Sequence, residues 1–221
     1  MKIRACIFDL DGVLCDTSHF HFVAWAETAK QLGVTFTEED NHQLKGVSRV
    51  GSLQYILDKG KLQLTEEEFQ HHLHSKNEFY LHLIREINPS DVFEGVLDLL
   101  KELHSNGLGI ALGSSSKNAR MVIDSLGISD FFEVIVDGND VINTKPDPEV
   151  FLRGANGLGV DPSEIVVFED APKGAEAGKR GGFHVVGIGG SELEEHADVV
   201  LPNMQNLSIS KLERLLDDSN S

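Results

Sequence analysis

Hydrophobic positions follow two regimes along this chain. From Ile3 to Phe8 runs a short apolar stretch, broken only by Arg4, which predicts a buried strand. Residues from about 18 to 86 then show helical spacing and no strand pattern. Phe22, Ala26, Ala29 and Leu32 form one stripe, stopped by Gly33, and His21 and Trp25 share a face of the same helix. Thr37 to Leu44 predicts a second helix, with Gly46 ending it. Leu53, Ile56 and Leu57 predict a third, with Gly60 after it. Thr65-Glu66-Glu67-Glu68 is a capping box. It opens a long helix with Phe69, Leu73, Tyr80, Ile84 and Ile87 along one stripe. Lys76 falls on that apolar stripe, so its ammonium either snorkels out or reaches into an enclosed site. His71 and His74 fall on the polar side, which reads as a solvated face and not as a metal site.

From about residue 92 the pattern alternates. Val96 to Leu103 is helical, and Leu108 to Gly113 reads as a strand. Ala119 to Leu126 is a helix, Val134 to Val136 a short strand, and Glu149 to Leu158 a helix. Ile165 to Phe168 is a strand, followed by the helix Lys173 to Lys179. His184 to Ile188 and Val199 to Leu201 are further strands, and Leu207 to Leu216 is a last helix. Strand–helix alternation predicts an α/β fold with a parallel, Rossmann-like sheet. The all-helical stretch interrupts it after the first strand. The expected organisation is therefore an α/β core of residues 1–16 and 88–221 with an inserted α-helical cap of residues 17–87.

Composition narrows the function classes. The formal net charge of −17 on 221 residues argues against nucleic acid and against an anionic membrane surface as partners. No stretch approaches the roughly 20 apolar residues of a membrane span. Asp9 and Asp11 interrupt the first apolar run, so no secretory signal is read there. Two cysteines, Cys6 and Cys15, imply no disulfide framework, and Cys15 reads as a small packing residue. A cytoplasmic monomer is the expectation.

The candidate chemistry sits where the strands end. The first ends in Asp9-Leu10-Asp11-Gly12, the second in Ser114-Ser115-Ser116-Lys117-Asn118, and the fourth in Glu169-Asp170, while Lys145-Pro146 precedes a helix. In a parallel sheet these carboxyl ends converge on one edge. Up to four carboxylates would then meet and repel, which a hard divalent cation such as Mg²⁺ relieves. Lys145 would offset remaining charge, and Ser114 with the amides after it suits a phosphate. One aspartate could act as a nucleophile toward phosphorus, and a second as general acid and base.

In that order, Asp9-x-Asp11-Gly12-Val13, Ser114, Lys145-Pro146 and Glu169-Asp170 resemble the four motifs of the haloacid dehalogenase superfamily. The resemblance spans essentially the whole chain, and the helical insert is similar to that family's small cap. The Asp-x-Asp form resembles the phosphotransferases of the family, not its dehalogenases. Lys45-Gly46-Val47-Ser48-Arg49, His21 with Trp25, Ser116-Lys117-Asn118 and Lys76 resemble a branch that interconverts β-glucose 1-phosphate and glucose 6-phosphate through the 1,6-bisphosphate. The resemblance implies Asp9 as the phosphoryl-carrying nucleophile and Asp11 as the general acid/base. It implies Mg²⁺ on Asp9, the Asp11 carbonyl, Glu169 and Asp170, and the transferring phosphoryl group on Ser114 and Lys145. Arg49, Ser116, Lys117 and Asn118 would bind the second phosphate. Thr17, His21, Trp25, Gly46, Val47, Ser48 and Lys76 would contact or enclose a phosphorylated hexose. Gly113 and Ser115 depart from the alanines of a typical member. A hexose-phosphate phosphatase on the same scaffold is the alternative, and Arg49 favours the mutase, because only a mutase must present either end of a bisphosphate.

Overall fold

The structure is a computed structural model that describes residues 2–219. In chain order its main elements are β1 (Ala5–Phe8), α1 (Ser18–Gln31), α2 (Glu38–Gln43), α3 (Arg49–Gly60), α4 (Glu66–Leu83), α5 (Val96–Ser105) and β2 (Gly109–Gly113). There follow α6 (Ala119–Ser125), β3 (Val134–Val136), α7 (Glu149–Leu158), β4 (Ile165–Glu169), α8 (Pro172–Arg180), β5 (His184–Ile188), β6 (Val199–Leu201) and α9 (Ile209–Ser219). The chain forms two compact units: the described part of Met1–Asp16 with Asn88–Ser221, and Thr17–Ile87.

The larger unit is a six-stranded sheet in the order β3-β2-β1-β4-β5-β6, with every neighbouring pair parallel. β1 and β4 are buried at every position, which is why both read as unbroken apolar runs. Alternate residues feed opposite faces. Ala5, Ile7, Ala111, Ile165 and Val167 join Val150, Phe151 and Ala155 of α7 and Ala175 and Ala177 of α8 in one core. On the other face the rings of Phe8 and Phe168 stack with centroids 4.7 Å apart, and Phe8 meets Phe132 edge-on. The register pairs Phe8 with Phe168 and with Leu112. The next residue of each strand is thereby carried to the same sheet edge: Asp9, Glu169 and Gly113. The strand order reverses between β1 and β4, and that reversal is where open α/β sheets bind ligands.

The smaller unit is all helix around a core of Trp25, Ala29, Leu44, Leu53, Ile56, Leu57 and Leu73. The expected capping box of α4 forms: Thr65 Oγ1 accepts from the Glu68 amide, and the Thr65 amide donates to Glu68 Oε2 at 2.8 Å. α4 stops at Leu83, and Ile84–Glu86 tightens into a 3-10 turn instead of continuing the stripe to Ile87. A second capping box, not foreseen from the sequence, opens α2, where Thr37 and Asp40 satisfy each other. Asp40 also accepts from Tyr55 and is paired with Lys59, so one carboxylate ties α2 to α3.

That carboxylate carries a pH prediction. Burial alone would raise the Asp40 pKa, but Lys59, Thr37 and Tyr55 outweigh it and hold the carboxyl well below its usual value. A depressed folded-state pKa contributes stability above the unfolded value, about 4, and loses it as pH falls below that. Asp40→Asn should therefore lower the urea midpoint at pH 7. At pH 3 its gap from the unmodified protein should be smaller.

Candidate active site

The chemistry of the larger unit gathers around one ammonium group. Asp9 follows β1 directly, and its amide donates to the Phe168 carbonyl at 3.0 Å, so the aspartate is pinned to the neighbouring strand. Glu169 is the last residue of β4. Lys145 Nζ donates to Asp9 Oδ1 at 2.6 Å and to Glu169 Oε1 at 2.5 Å, and lies 4.6 Å over the Phe151 ring. Asp9, Lys145 and Glu169 are all buried. The second Glu169 oxygen accepts from the Ala171 amide at 2.9 Å.

Asp9, Glu169 and Asp170 bring one oxygen each to within 4.8 Å of one another. Lys145 is the ammonium that meets two of those three carboxylates. Burial favours a neutral Lys145, but the charges of Asp9 and Glu169 prevail and hold its pKa above the ordinary value. Burial, with repulsion from Asp9 and Asp170, outweighs the pull of Lys145 and pushes Glu169 up to about 8. The group thus crowds buried carboxylates together. Its donors are hard oxygens, the set that a divalent cation with oxygen preference takes, so these residues fit a metal ion.

The turn after Asp9 keeps this cluster close. Leu10 to Cys15 folds back through hydrogen bonds from Val13 and Leu14 to the Leu10 carbonyl. Gly12 has φ of +79°, and a Cβ there would lie 2.1 Å from Asp170 Oδ2. Asp11 lies in the same turn, bridged to Cys15. Burial, reinforced by Asp11, Asp16, Asp9 and Asp91, pushes the Cys15 thiol up, so it stays protonated as a packing residue. Gly174, in the first turn of α8, was not singled out in the sequence. A Cβ there would lie 1.8 Å from Glu169 Oε1, so the missing side chain is what gives the Glu169 carboxylate its room.

Two loops complete this edge. Ser114 is buried just past β2, and its Oγ accepts from the Ser116 amide at 3.1 Å, while Ser116 Oγ accepts from the Asn118 amide. Two of the amides considered for phosphate are therefore spent inside the loop. Lys117 is exposed and makes no ion pair among the described residues. The loop carrying Lys145 is fastened by Glu149, which accepts from the amides of Ile142 and Asn143 and from Arg153. Those partners hold the Glu149 carboxyl down to about 2.

The smaller unit holds the remaining candidates. Lys76 does not snorkel: it is 3% exposed. Its Nζ donates to His21 Nδ1 at 3.0 Å and lies 4.6 Å and 4.7 Å over the rings of Trp25 and Tyr80. His21 also stacks on Tyr80, a partner the sequence reading placed only on the stripe. Burial, then the charges of Lys76 and Arg49, press the His21 pKa well below normal. The ring is neutral, and accepting at Nδ1 leaves its proton on Nε2. Gly46 and Val47 lie between α2 and α3, and Ser48 is the N-cap of α3, its Oγ accepting from the Gly51 amide at 3.2 Å. Arg49 is the first residue of α3. A cation there opposes the helix dipole. Among the described residues it has no acidic partner to compensate. Thr17 is buried at the start of α1, where its carbonyl, not its hydroxyl, receives a bond from the His21 amide.

Residues 3–182 match the family model for haloacid dehalogenase-like hydrolases. A β-phosphoglucomutase of Bacillus subtilis (strain 168) is 39% identical over 95% of this chain and 94% of that protein. The crystal structure of a β-phosphoglucomutase from Clostridium difficile superposes with a TM-score of 0.94 at 38% identity, covering 98% of each chain. A phosphorylated carbohydrates phosphatase of Thermotoga maritima is 31% identical over 95% of this chain and 99% of that one. Among the described residues, no helix is long and apolar enough to cross a membrane.

The Gly174 contact makes a prediction about metal. Gly174→Ala should drive the Glu169 carboxylate out of its seat and weaken binding of a divalent cation by about tenfold or more, the usual scale for disturbing ligand support. Calorimetric titration with Mg²⁺ would read the change, with circular dichroism confirming an intact fold.

Proposed function

This chain belongs to the haloacid dehalogenase-like hydrolase family, and we propose that within it the protein interconverts β-glucose 1-phosphate and glucose 6-phosphate through β-glucose 1,6-bisphosphate. The observation that supports the reading is the grouping of Asp9, Lys145, Glu169 and Asp170, together with two cations, Arg49 and Lys117, that no carboxylate among the described residues claims. A phosphatase needs only the cluster. A mutase also needs a grip on the phosphate that is not being transferred. The resemblance to two β-phosphoglucomutases over nearly the whole chain supports the same choice.

In this reading Asp9 is the nucleophile. Lys145 holds Oδ1 and fixes the carboxylate's rotation, which leaves the other oxygen for attack on phosphorus. Asp9 carries the phosphoryl group as an acyl phosphate. The sugar's free hydroxyl takes that group, and Asp11 accepts the hydroxyl proton as the O–P bond forms. The bisphosphate then returns its other phosphoryl group to Asp9, and Asp11 gives the proton back to the departing sugar oxygen. Protons and phosphoryl groups balance over the cycle.

Ser114 and Lys145 steady the phosphoryl group in transfer, Lys145 as the buried positive charge nearest Asp9. Asp9, Glu169, Asp170 and the Asp11 carbonyl are the residues that would hold Mg²⁺, which when bound supplies charge neutralisation for the phosphoryl oxygens. Arg49, with its planar fork, binds the second phosphate together with Ser116, Lys117 and Asn118. His21, Trp25, Lys76, Thr17, Gly46, Val47 and Ser48 contact or enclose the hexose. The protein acts in this reading as a cytoplasmic monomer with no nucleic acid or membrane partner.

A coupled assay separates the mutase from the phosphatase. With β-glucose 1-phosphate, Mg²⁺ and a trace of the 1,6-bisphosphate, glucose 6-phosphate should greatly exceed free phosphate. Free phosphate as the main product would install the phosphatase reading. Asp9→Asn should abolish turnover while still binding the bisphosphate, and retained turnover would remove Asp9 as nucleophile. Arg49→Ala should lower mutase kcat/KM by about 100-fold, the scale of a lost charge-assisted phosphate contact. Its hydrolysis of acetyl phosphate, which has no second phosphate, should change little by comparison.

A further inference from the structure

A cation outside the site described above is wired to the loop that follows β2. Arg120 lies in the first turn of α6, two residues after Asn118. Its side chain, about half exposed, reaches the end of β3 and the turn after it. Nε donates to Asp137 Oδ2 at 3.1 Å, and Nη2 donates to Asp140 Oδ2 at 3.0 Å and to the Ile135 carbonyl at 2.7 Å. The Asp137 carboxylate is almost wholly buried, at 2% exposure. It also accepts from the Asn139 amide at 2.7 Å, and Asp140 Oδ2 accepts from the Asp137 amide at 2.9 Å. The turn from Asp137 to Asp140 is thus closed on itself and locked to α6 by one guanidinium.

That turn in its own right holds the loop from Ser114 to Asn118. The Gly138 amide donates to the Ser116 carbonyl at 3.2 Å, and Asn139 Nδ2 donates to the Lys117 carbonyl at 3.0 Å. At the loop's root, the Ser114 amide donates to the Val136 carbonyl at 3.0 Å. The two segments touch so closely that a Cβ on Gly138 would lie 2.4 Å from the Ser115 carbonyl oxygen and 3.1 Å from Lys117 Cγ. Two successive carbonyls of the loop are therefore tied back to the turn. This fixes the backbone from which Ser116, Lys117 and Asn118 project. Charge enters as well: Asp137 and Asp140 beside a loop assigned to a phosphate would repel it, and Arg120 supplies their counter-charge, with only the Asp137 carboxylate deeply buried.

We propose that Arg120 is a positioning residue for the second phosphate: through Asp137 and Asp140 it braces the turn that holds the carbonyls of Ser116 and Lys117. The proposal rests on the reading of Ser116, Lys117 and Asn118 as second-phosphate ligands. Arg120 itself touches none of the reacting atoms. Removing it frees the buried Asp137 carboxylate of its counter-charge and lets the turn, and with it the loop, shift. A displacement of the order of 1 Å in a positioning group is enough to cost up to 100-fold in turnover.

Arg120→Ala, Arg120→Lys and Gly138→Ala test the proposal in three readouts. The first is KM for β-glucose 1,6-bisphosphate, the second hydrolysis of acetyl phosphate, and the third amide hydrogen exchange at residues 115–118 against the amides of β2. Arg120→Ala should raise KM for the bisphosphate about tenfold or more and speed exchange in the loop, while acetyl phosphate hydrolysis stays within about twofold. Arg120→Lys, able to reach one of the three acceptors, should recover part of the loss. Gly138→Ala, which removes no charge, should reproduce the KM effect by displacement alone. Unchanged KM with unchanged exchange in Arg120→Ala would overturn the brace. So would equal losses in bisphosphate and acetyl phosphate turnover, which would mark Arg120 as a general stabiliser of the unit. Should the unmodified protein fail to turn over the bisphosphate, the second-phosphate reading falls. Loop exchange then still decides the brace itself: faster exchange in Arg120→Ala keeps it and unchanged exchange overturns it.

Discussion

The chemistry of the larger unit depends on one buried ammonium shared between two strand ends. Lys145 meets Asp9 at 2.6 Å and Glu169 at 2.5 Å, in a site from which water is largely excluded. Taking a carboxylate out of water costs several kcal/mol even after relaxation, and crowding three of them together adds repulsion. The strain shows in Glu169, whose pKa rises in spite of its direct contact with Lys145. Carboxylates crowded in this way have two consequences. They favour a divalent cation, and they favour a ligand that arrives with one. Register makes the arrangement possible, because β1 and β4 are neighbours and pair Phe8 with Phe168, so Asp9 and Glu169 emerge side by side.

A second constraint is that an acidic chain must handle an anionic substrate. With a net charge of −17, the protein's overall field opposes a sugar phosphate. In the proposed reading three cations would meet that substrate. Lys145 is buried, Lys117 is left without an ion pair among the described residues, and Arg49 stands at the positive end of α3. Carboxylates are meanwhile used as fasteners. Glu149 gathers the amides that precede Lys145, and Asp137 with Asp140 closes the turn beside Ser116 and Lys117. In each case an acidic group is consumed by amides and an arginine.

The smaller unit resolves a conflict of its own. Lys76 lies among apolar positions of α4, and its ammonium is met by the faces of Trp25 and Tyr80 and by a neutral His21. Aromatic faces attract a cation without contributing a formal charge.

Much of this was legible in the sequence. Unbroken apolar runs marked β1 and β4 because strands buried on both faces need no polar alternation. The aspartates after Phe8, the serine run after Gly113 and Glu169-Asp170 announced themselves at strand ends, and Lys145-Pro146 by preceding a helix. The capping box at Thr65 was readable because its bonds span only three residues. Helix ends were less legible: α4 gives way to a 3-10 turn after Leu83 although the apolar stripe runs on to Ile87. Other features depend on how side chains meet in space and left no signal in the pattern. Gly174 matters only because Glu169 turns into the space beside it, and Arg120 only because β3 brings Asp137 and Asp140 to α6. Local order and residue type determined the elements and the list of reactive groups. The tertiary structure decided which charges meet, how deeply they are buried and which of them remain unmatched, because those properties depend on strand register and on neighbours that no stretch of sequence contains.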